Sequence, residues 1–301
     1  MKYNIKDDIE TLEEWLKNGH YISENESIKS ELSSYAKLPI RKFSNAYAEK
    51  SAGYIRTPPL LNRFVSNKAT EFTASYLNGN IDTLSDLTAY SFYDLYYSIH
   101  RNLSHSRCIH IDAAQALSLL LLCNEENLIT KVLPILSSLA KNNLYSDPMG
   151  ASGLFIVNCF LEQHGSPWIE LQETAMTEPH KQLLKQLREP KVDTALRAVY
   201  EHHIKQCQIM NSSSGIGDYL DLHARIIPFP LVTFIKIRKT MNLETELPDD
   251  LELLKKTTVL LSYNKKLEID EILASVIARA EKCLPDLLAN TEIAIPNTTP
   301  T

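Results

Sequence analysis

Ile111-Asp-Ala-Ala-Gln-Ala-Leu-Ser-Leu-Leu-Leu-Leu-Cys123 is apolar on nearly every side of a helix, with four consecutive leucines from Leu119 to Leu122. A helix without a polar stripe must be covered by other elements all round. The run is shorter than the roughly 20 apolar residues a bilayer requires, so its cover has to come from protein. Neighbouring segments supply it. Over residues 125–141, Leu128, Val132, Leu136 and Leu139 fall on one helical face, which makes a hairpin with the central run. Residues 153–161 repeat the all-round apolar pattern, and residues 82–100 read as a helix carrying Tyr90, Phe92, Tyr93, Tyr96 and Tyr97.

Further out, the punctuation is helical. Ile9, Leu12, Trp15 and Leu16 have helical spacing, and Asn18-Gly19 stops that helix. A second stretch from about residue 23 is interrupted at Pro39, and residues 47–54 read as its exit. Thr57-Pro-Pro then opens a long helix with Thr57 as N-cap, and Asn78-Gly79 closes it. Gly165-Ser-Pro-Trp ends one helix and, with Ser166 as cap, starts another. The helix after Pro190 aligns Val192, Leu196, Val199, His203, Cys207 and Met210, and Asn211-Ser-Ser-Ser-Gly follows as a loop. Residues 226–237 are β-branched enough for a strand, but Pro228 and Pro230 suit a central strand poorly, so a helix is expected from Pro230. Helices over 248–261 and 268–288 complete the chain.

The expected fold is all-α: stacked antiparallel helices in one large domain over residues 1–289, irregularly solenoid-like, with a candidate subdomain boundary at 189–190 and a disordered tail at 290–301. Only eight glycines in 301 residues fits that class, since hairpins and phosphate-cradling loops need positive φ. No fixed-period repeat is present.

Composition narrows the function classes. A net charge of −6 with dispersed lysines and arginines argues against a nucleic-acid surface, which concentrates basic residues. Five cysteines, odd in number and mostly within apolar runs, read as free thiols in a reducing compartment. Met-Lys-Tyr-Asn-Ile-Lys-Asp-Asp at the start lacks the apolar core of a secretion signal. The expectation is a cytoplasmic protein without a membrane span.

Candidate chemistry is sparse. His203 and Cys207, four apart on one face, could join His202 and His223 as metal ligands, but that face is also the apolar seam and no Cys-x-x-Cys or His-Glu-x-x-His accompanies it. His100, His105 and His110 around Cys108 offer a Cys/His pairing by spacing alone, in a turn-like stretch. No phosphate-binding glycine loop, nucleophile elbow or paired metal motif occurs, so no catalytic residue, cofactor or metal is expected. Two sets remain as candidate partner contacts. Tyr90, Tyr93 and Tyr97 with Asp94 form a stripe that suits either a helical core or an interface. The acidic residues Asp218, Asp221, Glu244, Glu246, Asp249 and Asp250 either cap helix starts or meet a basic partner.

Read as a unit, Thr194-Ala-Leu-Arg-Ala-Val-Tyr-Glu-His-His, Arg225-Ile-Ile-Pro-Phe-Pro-Leu-Val-Thr-Phe and Leu247-Pro-Asp-Asp-Leu-Glu-Leu-Leu resemble the bacterial immunity 49 family. The likeness covers roughly residues 166–254, and Gly165-Ser-Pro-Trp-Ile is compatible with it. It implies a predominantly helical protein that binds and neutralises a cognate antibacterial toxin, protecting the producing cell and its kin without cofactor or turnover. With no secretion signal, the toxin would act in the cytosol. The alternative expectation is a helical-repeat scaffold or adaptor that binds other proteins through a concave groove; a third, an all-α hydrolase, would use the histidines and cysteines.

Overall fold

A computed structural model describes residues 4–37, 46–102, 111–141, 150–170, 176–210 and 222–283. Among them every regular element is a helix. In chain order these are α1 (Ile5–Asn18), α2 (His20–Lys37), α3 (Ala46–Leu77), α4 (Leu84–Asn102), α5 (Ile111–Leu122), α6 (Glu126–Lys141), α7 (Gly150–Gln163), α8 (Glu178–Lys185), α9 (Asp193–Met210), α10 (Leu222–Ile226), α11 (Phe229–Thr240), α12 (Glu252–Lys256), α13 (Thr258–Leu261) and α14 (Glu271–Cys283). The all-α class expected from the sequence is the class observed.

The centre is where the leucine run placed it. Residues 115–122 of α5 are all buried, enclosed by α4, α6, α7 and α11. Every residue of α11 from Phe229 to Arg238 is buried as well, and the hydroxyls of Ser118 and Thr233 meet at 2.5 Å between α5 and α11. Pairing two hydroxyls satisfies both where water cannot reach. Each helix from α2 to α9 packs on the next in sequence, while α14 returns to α2 and α3 and α10 lies on α1 and α3. An open solenoid would contact only its neighbours; here the two ends of the stack meet, and buried apolar residues from Leu12 to Ile277 form one continuous cluster.

Ends are fixed by local chemistry. α1 starts with the Asn4 side chain accepting from the Lys6 N–H at 3.2 Å, and buried Asp8 docks it onto α10 through Arg225 at 2.9 Å. Gly79 after α3 and Gly165 after α7 have φ of 79° and 66°, the left-handed cap that glycine adopts without penalty. Asn124 and Asn242 take the same conformation after α5 and α11, a role asparagine tolerates in a glycine-poor chain.

Three boundaries differ from expectation. α3 runs unbroken from Ala46, so Pro58 and Pro59 lie inside it and not in a first turn. Residues 166–170 are not helical, because Asn158 of α7, fully buried, spends its amide on them: Oδ1 accepts from the Ile169 N–H at 2.8 Å and Nδ2 donates to the Ile169 carbonyl at 3.0 Å. The expected helix over 248–261 is two short ones, α12 and α13, broken at Thr257, whose buried hydroxyl bonds the Leu254 carbonyl. The loop expected at 211–215 and the tail at 290–301 lie outside the described residues. Among the described residues no helix is long and apolar enough to cross a membrane.

Candidate functional site

Arg238, in the last turn of α11, has no exposed surface and makes five hydrogen bonds to two separate loops. Its Nη1 donates to the carbonyls of Leu187 and Glu189 at 2.8 Å and of Gln186 at 3.4 Å. Nε donates to Thr245 Oγ1 at 2.8 Å, and Nη2 to the Glu244 carbonyl at 3.0 Å. The guanidinium fork suits this task because its donors are planar and point outward in fixed directions. Burial lowers its pKa from the ordinary value, and the ring of arranged carbonyl dipoles is what holds the charge in place. Asn242 in its left-handed cap turns the chain back, so the Leu243 N–H reaches the Arg238 carbonyl at 2.9 Å. One residue therefore sews the end of α8 to the loop after α11.

Beside this clamp lies a groove of about 1190 Å³, bounded by residues 190–193, by Ile235 and Lys239 of α11, by residues 242–247, and by Lys255, Thr258 and Leu261. Val192, Leu243, Leu247 and Leu261 give it apolar lining. Its ammonium groups are largely engaged: Lys239 donates to the Leu261 carbonyl at 3.2 Å, and Lys255 pairs with Asp249. Asp250 pairs with Arg197 of α9, whose hydrogen bond holds that carboxyl below the usual carboxylate range. Glu244 and Glu246, in contrast, line the groove with exposed side chains and no ion pair among the described residues. Tyr200 accepts from the Leu253 N–H at 3.4 Å, fixing α12 to α9.

The expected contact residues thus separate. Glu244 and Glu246 line the groove; Asp249 and Asp250 sit in ion pairs next to it. Tyr90, Tyr93 and Asp94 are corrected from surface to core, with 0%, 1% and 5% exposure, because α4 is covered by α3 on one side and α5 on the other. Tyr90 donates to both carboxylate oxygens of Asp270 at 2.8 and 3.0 Å, and Asp270 Oδ1 accepts from the Leu273 N–H at 2.8 Å, capping α14. Burial, followed by the Asp270 charge, raises the phenol's pKa far above its ordinary value. Tyr90→Phe is expected to cost about 1–2 kcal/mol, the price of leaving a buried acceptor short of a donor; equilibrium urea unfolding measures it, and an unchanged midpoint would remove this link from the account of how α14 is held. The Tyr97 side chain, Asp218 and Asp221 lie outside the described residues.

The histidine and cysteine candidates belong to the core. His203 Nε2 lies 2.9 Å from the Arg225 carbonyl, and since a carbonyl only accepts, Nε2 carries the proton. Cys207 Sγ is 3.6 Å from that same nitrogen, which consequently has no lone pair with which to take a thiol proton. His223 Nε2 meets Gln115 Oε1 at 2.8 Å, on α5. Cys123, Cys159 and Cys207 are buried; burial pushes the Cys123 thiol up to about 11, so it is protonated near neutrality. No group of three His, Cys, Asp or Glu residues that could hold a metal occurs among the described residues. The Cys108 group with His105 and His110 lies outside them.

Arg238, Lys239, Lys255 and His180 were not singled out by the sequence. A basic residue ending an apolar helix normally reads as a charge favourable to the macrodipole, and nothing in the local pattern says that Arg238 turns inward. Compared with family models, curated proteins and solved structures, the chain finds no match.

Proposed function

We propose that this chain is an immunity protein: it binds and neutralises a cognate antibacterial toxin in the cytosol, by occluding a surface of the toxin and not by catalysis. The observation that supports this reading is the union of the three segments that resemble the immunity 49 family. α9 carries the first, residues 225–234 span α10 and the start of α11, and residues 247–254 lead into α12. Arg238 joins the loops around them, and the Arg197–Asp250 and Tyr200–Leu253 links tie the first segment to the third. A surface held by such internal bonds is formed before binding, and association then loses little further chain entropy.

The test is genetic. The product of the gene adjacent to this one, expressed in a laboratory bacterium, is expected to be toxic alone and harmless when this chain is co-expressed. A purified pair should form a stable one-to-one complex on size-exclusion chromatography. Killing that this chain does not relieve, or a harmless neighbour, would favour a helical scaffold with several moderate partners.

A further inference from the structure

We draw no further inference here: the strongest candidate, the cluster of His180, His202 and His203 where α8 packs against α9, bears only on how stability depends on pH, and no group of three metal-ligating side chains gathers there among the described residues.

Discussion

Replacing Arg238 by methionine is expected to destabilise the protein by about 3–5 kcal/mol, the cost of removing one side of a buried polar network. Methionine matches much of the aliphatic stem and supplies no donor. The carbonyls of Leu187, Glu189 and Glu244 and the Thr245 hydroxyl, all now bound to the guanidinium, would lose their partner together. Against a total stability of about 5–15 kcal/mol for an ordinary domain, that is a fifth or more of the margin. Arg238→Lys keeps the charge but offers one compact ammonium in place of a fork that spans two loops, so it should recover only part of the loss. Equilibrium urea denaturation of the wild type and both variants gives the three values. If Arg238→Met shifts stability by less than about 1 kcal/mol, the loops are held by their own packing and the clamp is incidental.

The sequence carried the helical class and most of the core, because both follow from periodicity. The unbroken apolar run of residues 111–123 required a covered helix, and α5 is covered. Pro228 and Pro230 argued a β-branched segment out of a strand, and α11 runs through it as Phe229–Thr240. Where expectation and structure part, a side chain reaches across the fold to a backbone distant in sequence. Asn158 holds Ile169 extended from eleven positions away, and no propensity at Ser166 or Pro167 encodes that. On its own helix Tyr90 suited the core better than an interface without excluding either; its bond to Asp270, 180 residues later, is what the local pattern could not supply. The acidic cluster at 244–250 divided for the same reason. Asp249 pairs with Lys255 six residues on and Asp250 with Arg197 53 residues back, while Glu244 and Glu246 have no ion pair among the described residues; at least for Asp250 the deciding partner lies far away in sequence. Period and punctuation are local quantities; a groove is made by contacts that are not.

Acid is expected to remove a definable part of the stability through His180. The ring has no exposed surface; it lies 4.8 Å from the Phe155 ring and edge-on to His202 at 5.3 Å, with Nδ1 2.8 Å from the Thr177 hydroxyl. Burial, helped by the neighbouring His202 and His203, pushes its pKa down from 6.5 to about 3. The folded protein therefore keeps His180 neutral where the unfolded chain protonates it. Between about pH 6.5 and about pH 3 the unfolded state holds the extra proton, so stability rises with pH across that window. The contribution is complete above pH 6.5 and drains as pH falls. At about 1.4 kcal/mol for each pH unit, His180 alone accounts for ~2–3 kcal/mol by pH 4.5 and ~4 kcal/mol over the whole window. His180→Phe abolishes this titration and suits a ring already facing Phe155, although the Thr177 hydroxyl loses its partner, at about 1 kcal/mol. Urea denaturation at a series of pH values should give an acid limb shallower by about 1.4 kcal/mol per pH unit in the variant, with the two curves crossing so that the variant becomes the more stable protein in acid. Parallel limbs would mean that His180 is protonated inside the folded protein. The ring would then be exposed by local opening, and the α8–α9 junction would be looser than its burial indicates.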